Sequence, residues 1–305
     1  MSRDLTPSMR ALQHVVAYVG IGSIIELFWE GSSPPRRRDL AAPTRWAPIL
    51  FPRTTMNASL LRRIYNEYAS SVGLSPQATY LHGNPIKPVV PLDTRVGGVF
   101  ILGAYPSARF AVISGITDVP VADNLAPFEN ERWFDGSRVR FQPSAQELGS
   151  YFLEPLRLSR DDCWITDLVK VFLFKPGHVR RYAKLHSTAP PGYVRDAFYD
   201  LGIRSLPWIA RELRAARPRL LITLGAEVAG VVRGESRRSA QVRLLMPEIG
   251  QVLIGRTRVP AIHCPHPGIL MRGSSTPWAA RHRRFFLPAI RAYLRSSTRR
   301  GAVGA

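Results

Sequence analysis

Cysteine is scarce in this chain, which has only two, Cys163 and Cys264, among 305 residues. Both fall in apolar, β-prone stretches. Two thiols cannot form a disulfide framework, nor a four-cysteine site for a metal ion or an iron–sulfur cluster. The low cysteine count fits a reducing, cytoplasmic setting. We expect no metal and no cofactor.

Acidic residues are also few. The chain has 22 Asp and Glu against 42 Lys and Arg, a formal net charge of +20. Such an excess favours a polyanionic partner, because basic side chains that neutralise phosphates release condensed counterions. The alternative is an arginine-rich, solvated surface without a partner. A hydrophobic content of 45% argues against wholesale disorder.

Long apolar runs are lacking as well. Residues 11–29 are rich in apolar residues, but their uninterrupted part, residues 15–25, is too short for a membrane span, which needs about 20 residues. A signal peptide is disfavoured because no small-residue cleavage site follows; the sequence PPRRR at 34–38 comes instead. We therefore expect no membrane partner, and we interpret residues 1–55 as a poorly ordered basic extension.

From residue 56 onward, strand-like and helical patterns alternate. Residues 56–97 are interpreted as a helical and extended lead-in, 98–296 as an α/β domain and 297–305 as a flexible basic tail. Residues 114–143 and 175–192 show no strong period and are interpreted as loops. Short apolar runs predict strands and longer amphipathic stretches predict helices. The strands are expected at 98–104, 110–113, 163–171, 219–224 and 259–262, and the helices at 59–72, 204–216, 226–232 and 278–294.

Three of the apolar runs end in polar or turn-forming residues. The run that begins the segment VPAIHCPHPGILMR, residues 259–272, ends in a loop that holds His266 between two prolines. The run at 99–106 ends in a glycine-containing turn, and the run at 163–171 carries Asp167. Strands separated by helices predict a parallel sheet covered on both faces. Ligands bind beyond the carboxyl ends of such strands, so we expect these three ends to line one pocket.

Four sequence motifs follow one another along the chain. They are GAYPS at 103–107, ITDLVK at 165–170, PRLLITLGAEVAG at 218–230 and HPGILMR at 266–272. Together they resemble the uracil-DNA glycosylase superfamily, most closely its bacterial and archaeal family 4 and 5 branches, without their iron–sulfur cysteines. The resemblance implies a three-layer α/β/α fold with a small central parallel sheet. It also implies a DNA glycosylase that flips out and hydrolytically excises a deaminated base, above all uracil, in base excision repair.

The resemblance assigns a role to several residues. His266 matches the histidine that donates a hydrogen bond to the carbonyl of the leaving base; the alternative is a loop histidine that bonds only to backbone. Phe128 matches the aromatic residue that stacks beneath the base, or else belongs to the core. His263 is interpreted as a core residue. The other base-binding positions belong to the GAYP turn: Gly103, Ala104, Tyr105 and Pro106.

Asp167 departs from the family pattern, in which Asn usually follows Ile-Thr. An asparagine both accepts and donates hydrogen bonds to uracil, whereas an ionised carboxylate only accepts. Uracil specificity therefore depends on whether the pocket keeps Asp167 protonated. The alternatives are a base with an exocyclic amine or a second ring N–H, and an Asp167 that only caps or pairs with an arginine.

The first motif departs as well. Family members commonly carry an acid or an asparagine at the glycine–proline turn, where it positions or activates the attacking water, and GAYPSARF has none. Asp118, Asp123 or Glu129 could reach the site from the long loop.

Glu147 stands three residues after Ser144, the pattern of a capping box that opens a helix.

The residues after His266 match the loop that enters the duplex, with Leu270 or Met271 as the wedge. The alternative for the basic residues is a solvated charged surface. The DNA-binding residues that we expect are Ser107, Lys170, Lys175, Arg180, Arg181, Arg272 and Ser274.

The sequence thus predicts a monofunctional glycosylase, with His266 and Asp167 as its catalytic residues, that acts as a monomer on DNA of the nucleoid. One alternative is a non-catalytic nucleic-acid-binding protein on the same fold. The other is a glycosylase for hypoxanthine or xanthine, selected by Asp167.

Overall fold

A computed structural model of the protein describes residues 58–235, 242–272 and 276–302. The predicted basic extension at 1–55 and the predicted contact Ser274 lie outside these ranges. The division into domains stays a prediction. Two facts bear on its boundaries: Ile64 and Tyr68 of the predicted lead-in are buried in a core with the strands of the domain, and the last helix continues to Ala302.

A five-stranded sheet forms the centre of the fold, in the order β6-β1-β7-β9-β8. The first four strands are parallel, and β8 pairs antiparallel with β9 at one edge. All residues of β1, β6 and β7 are buried, as expected for parallel strands covered on both faces. The strands are β1 Val99–Gly103, β2 Ala108–Ile113, β3 Ile116–Asp123, β4 Arg132–Phe134, β5 Val139–Phe141, β6 Cys163–Asp167, β7 Leu220–Leu224, β8 Gly250–Ile254 and β9 Thr257–Cys264.

Helices cover both faces of this sheet, which confirms the three-layer α/β/α fold. Two π-helical turns, Gly149–Leu153 and His282–Phe286, join α2 to α3 and α8 to α9. None of the helices within the described ranges combines the length and the apolar character that crossing a membrane requires. The helices are α1 Ala58–Ser71, α2 Pro143–Leu148, α3 Glu154–Leu156, α4 Pro176–Lys184, α5 Phe198–Ala216, α6 Ala226–Arg233, α7 Pro267–Leu270, α8 Trp278–Arg281 and α9 Leu287–Ala302.

Side chains along the strands point alternately to the two faces of the sheet, so the hydrophobic core has two parts. On the first face, Phe100 and Trp164 pack with residues of α1, α5 and α6. On the second face, Ile101 and Ile165 pack with residues of α2, α3, α7 and α9. Successive strand residues point to opposite faces, so Gly103 and Asp167, two residues further on, belong to the second face.

Two stretches predicted as loops contain regular structure. Residues 114–143 hold β3, β4 and β5, in hairpins whose short, half-buried strands show little alternation in the sequence. Ser114 and Gly115, with φ of 49° and 75°, form the turn of the β2-β3 hairpin. Residues 175–192 hold α4, which has a proline at its start.

Candidate functional site

The ends of β1 and β6 meet directly. Gly103 and Asp167 are register partners at the last position of their parallel pairing. The backbone closes the same corner, since Leu168 N–H donates to Gly103 O and Val169 N–H donates to Ala104 O, each at 2.9 Å. These bonds fix the GAYP turn against the chain that leaves β6.

Only glycine fits at position 103. A Cβ atom there would clash with Asp167 Oδ1 and would lie 2.7 Å from Cε2 of Phe128. The carboxyl group of Asp167 and the ring of Phe128 therefore both cover the α-carbon of Gly103. The structure thus brings together three residues that the sequence assigned to base binding.

Phe128 is held in an uncommon conformation. Its φ of 53° is left-handed, which a residue other than glycine adopts only when its surroundings require it. Arg160 supplies this constraint: its Nη1 donates to Phe128 O at 2.7 Å, and its Nη2 donates to Asp93 Oδ2 at 2.5 Å. The ring is 7% exposed, so Phe128 is both a core residue and a lining of the strand ends.

Asp167 is buried, and one of its carboxyl oxygens has no hydrogen-bond partner among the described residues. The residue is 1% exposed, and the oxygen in question is Oδ1. Burial raises the pKa of Asp167 from 3.8 to about 7, although the nearby Lys170 lowers it somewhat. A substantial share of the carboxyl groups is therefore protonated at neutral pH. The expected alternative, an aspartate paired with an arginine, is not what this environment provides.

His266 stands at the start of α7, where its Nδ1 accepts a hydrogen bond from Gly268 N–H at 3.0 Å. This bond assigns the ring proton of the neutral imidazole to Nε2, which is then a donor. Burial, together with the charge of Lys175, lowers the pKa of His266 to about 4. The imidazole is therefore neutral at physiological pH and offers one N–H.

His263 lies in β9 and faces the other side of the sheet from Cys264. Its Nδ1 is 2.7 Å from Thr223 Oγ1, and its side chain is buried. Burial lowers the pKa of His263 to about 4. These contacts agree with its interpretation as a core residue.

The remaining turn residues contact α5 and the chain before it. The ring of Tyr105 is 6.0 Å from that of Phe198, and the guanidinium of Arg195 lies 5.3 Å from the Tyr105 ring centroid. Pro106 is buried, whereas Ala104 and Ser107 are half-buried. Tyr105 and Arg195 thus form a stacked aromatic and cationic surface beside the strand ends.

Two of the predicted phosphate contacts are exposed. Lys175 and Arg180 are both accessible, and Arg180 lines a surface cavity of about 370 Å³. Arg181 is half-buried, with its Nη2 3.9 Å from Asp118. The full cavity lining is Phe174, Pro176, Val179, Arg180, Val194, Arg195 and Asp196.

The position of Lys170 is incompatible with its predicted phosphate contact. Lys170 is 0% exposed and forms a buried ion pair with Glu212, while its Nζ donates to Thr166 Oγ1 at 2.5 Å. Trp164 Nε1 donates to the other carboxylate oxygen of Glu212 at 3.0 Å. An ammonium group sequestered in this network cannot reach DNA.

The two residues predicted as the wedge, Leu270 and Met271, differ in exposure. Leu270 is 0% exposed and packs in the core of the second face, so it cannot enter a duplex. Met271 is 47% exposed, and Arg272 is exposed beside it. Of the two predicted wedge residues, only Met271 is available.

The acids predicted to reach the site are engaged elsewhere. Asp118 pairs with Arg140 at 2.7 Å, and Glu129 pairs with Arg160 at 3.6 Å. Asp123 accepts hydrogen bonds from the hydroxyl of Tyr80 and the backbone of Lys87.

The capping-box prediction for Glu147 is wrong. The helix begins at Pro143 with Gln142 as its N-cap, two residues before the expected N-cap Ser144, and no side chain caps it. Glu147 Oε2 instead lies 3.6 Å from the position that a Cβ on Gly268 would take, and His266 Nδ1 lies 3.3 Å from the same position. The sequence gives no sign of this contact with Gly268, because a glutamate three residues after a serine is already explained as part of a helix cap.

Comparison with known proteins identifies a family. The model of the Uracil DNA glycosylase superfamily matches residues 90–291, a range that holds all four motifs and every strand. No curated protein matches the chain. Within the described ranges, no group of three or more His, Cys, Asp and Glu side chains is arranged to hold a metal ion.

Proposed function

This chain belongs to the uracil-DNA glycosylase superfamily, and we propose that it is a monofunctional DNA glycosylase that flips uracil out of DNA and hydrolyses its N-glycosidic bond. The single observation that carries the proposal is the shared corner at Gly103. There, a protonatable carboxyl group and an aromatic ring lie against the same α-carbon. A flipped pyrimidine requires that combination, an edge to hydrogen-bond and a face to stack.

Asp167 would read the edge of the base. In its protonated form it donates from one oxygen and accepts at the other, as an asparagine amide does. It can then accept the N3–H of uracil and donate to O4. The raised pKa of Asp167 supports this form at neutral pH, because burial disfavours the carboxylate. Phe128 would supply the stacking surface, and base–aromatic stacking contributes about 1–3 kcal/mol.

His266 would stabilise the leaving base. Breaking the bond between C1′ and N1 leaves negative charge on uracil, and a donor at O2 lowers the energy of that anion. The Nε2–H of a neutral imidazole fits this task, since it donates without giving up a proton to the carbonyl. The hydrogen bond from Gly268 supports the role because it orients the ring.

Ser107, Lys175, Arg180, Arg181, Arg272 and Ser274 would contact the DNA backbone. Met271 would fill the gap left by the flipped nucleotide. The protein would act as a monomer on DNA of the nucleoid. Binding that depends on phosphate contacts weakens steeply as salt is raised. An affinity that stays flat between low and high salt would contradict this model.

A second substrate class is favoured by the acid at position 167. When ionised, Asp167 only accepts hydrogen bonds, which suits xanthine, with two ring N–H groups on its edge, better than uracil, with one. Xanthine, and hypoxanthine with its single ring N–H, are therefore tested beside uracil.

The decisive experiment measures base release. Labelled single- and double-stranded oligonucleotides that carry uracil, hypoxanthine or xanthine are incubated with the protein and cleaved with alkali, with His266→Ala alongside. We expect release of uracil that falls at least 100-fold in the variant while DNA binding survives. Binding without release from any substrate would overturn the proposal in favour of a non-catalytic DNA-binding protein.

A further inference from the structure

On the basis of the proposed function, we propose that Glu147 is the carboxylate that activates the attacking water. The glycine–proline turn, where relatives commonly hold an acid or an asparagine, has no such residue in GAYPSARF. The alternative suppliers Asp118, Asp123 and Glu129 each have partners of their own. Glu147 comes from a different element, α2, and reaches the site from the side of His266.

The fold places Glu147 on the correct face. Its neighbour Leu148 packs in the core of the second face, together with Phe128 and Leu270. Gly103 and Asp167 end their strands on that face as well. The carboxylate of Glu147 and the imidazole of His266 both border Gly268, within 3.6 Å of the space that a side chain there would fill. The acid, the base-reading group and the anion-stabilising donor thus share one side of the sheet.

The carboxylate is also available for chemistry. Glu147 is half-buried, and no described residue forms a hydrogen bond or an ion pair with it. Burial alone raises the pKa of Glu147 above 4.5. A carboxylate that is partly desolvated and not hydrogen-bonded is a better base than a solvated one.

The proposed step balances as follows. The C1′–N1 bond breaks, and its electron pair leaves with the base as an anion held by His266. Water then forms a bond to C1′ and passes one proton to Glu147, and the ionised Glu147 also stabilises the positive charge that builds on the sugar. The proton finally leaves Glu147 for the base anion or for solvent. The products are the free base and an abasic deoxyribose.

The test compares Glu147→Gln with the wild-type chain on the uracil oligonucleotide. We expect kcat to fall at least 100-fold, the lower end of the usual contribution of a general base. The dissociation constant for DNA should change less than threefold. The acid limb of the wild-type pH profile should disappear, since glutamine does not titrate. Glu154→Gln, at an exposed position at the start of α3, serves as a matched control and should keep wild-type activity.

Each other result is decisive. A fall in kcat of less than tenfold would overturn the role of Glu147 while leaving the glycosylase intact. Loss of DNA binding or a lower Tm in Glu147→Gln would assign it a structural role instead, because removing a partly desolvated charge that has no described partner should not destabilise the fold. Absence of base release by the wild-type chain would overturn the proposed function itself, and the role of Glu147 with it.

Discussion

Gly103 and Asp167 stand opposite each other at the ends of β1 and β6, and the carboxyl group of Asp167 occupies the space that a side chain at Gly103 would need. The ring of Phe128 closes the same space from the other direction. The carboxyl group of Asp167 therefore fits in its position only because residue 103 has no side chain. Any added methyl group must displace the acid, the ring or the strand.

Gly103→Ala should disable the site. The new Cβ would collide with Asp167 and Phe128, so we expect a loss of at least 100-fold in kcat/KM and a lower Tm, as overpacking typically costs about 1–3 kcal/mol. Gly250→Ala is the matched control, because a Cβ at Gly250 meets no atom within 4 Å. Wild-type activity in Gly103→Ala would contradict the close approach of these three residues.

Asp167→Asn should remove the alkaline limb of the pH profile. The proposed form of Asp167 is protonated, and its pKa of about 7 means that the wild-type rate on uracil falls as pH rises above 7. Asparagine keeps both hydrogen bonds without titrating. We expect the variant to be the faster enzyme at pH 9 in steady-state base release. An unchanged alkaline limb would assign it to another group.

The same substitution should stabilise the fold in a pH-dependent way. The pKa of Asp167 is higher in the folded chain than its ordinary value of 3.8. Its ionisation therefore destabilises the folded state progressively as pH rises from about 4 to about 7, by up to roughly 4 kcal/mol. The Tm of Asp167→Asn should match that of the wild type near pH 4 and exceed it at pH 8. Equal Tm values at both pH values would show that Asp167 is not desolvated.

Lys170 should matter for stability and not for DNA contact. Lys170→Met leaves the carboxylate of Glu212 unpaired in the core, which typically costs about 3–5 kcal/mol. The double variant Lys170→Met/Glu212→Gln removes both charges and should recover most of that loss. Denaturant unfolding of the two single variants and the double variant gives the coupling. A Lys170→Met protein of normal stability but weaker DNA binding would restore the predicted phosphate contact.

Substitutions of Met271 and Leu270 should have different effects. Met271→Ala should slow release from double-stranded DNA at least tenfold and leave single-stranded DNA nearly unaffected, because only a duplex has a gap to fill. Leu270→Ala should instead lower stability by about 2–5 kcal/mol, as buried leucines do. Equal effects of Met271→Ala on both substrates would argue against a wedge.

Much of the central fold followed from local patterns. The parallel strands β1, β6 and β7 are continuous apolar runs. They end at Gly103, at Asp167 and just before Gly225, each within a few residues of the strand end expected from the sequence. The strand at 110–113 was also expected, as part of β2, but β3, β4, β5 and the helix at 176–184 were not. Their short strands and polar surface carry little periodicity, and packing on the larger body stabilises them.

The sequence by itself determined which chemical groups stand at the strand ends, because apolar runs, glycines and prolines specify where a strand stops. The tertiary structure alone decided what those groups experience. Lys170 is paired with Glu212, 42 positions away, whereas no described residue forms an ion pair with Asp167, although Asp167 and Lys170 stand three residues apart in one motif. The sequence pattern predicts Glu147 to be part of a helix cap, whereas in the structure Glu147 and His266 both lie beside Gly268. Burial and pairing depend on contacts between distant segments, and these contacts set the pKa values and access on which the proposed chemistry depends.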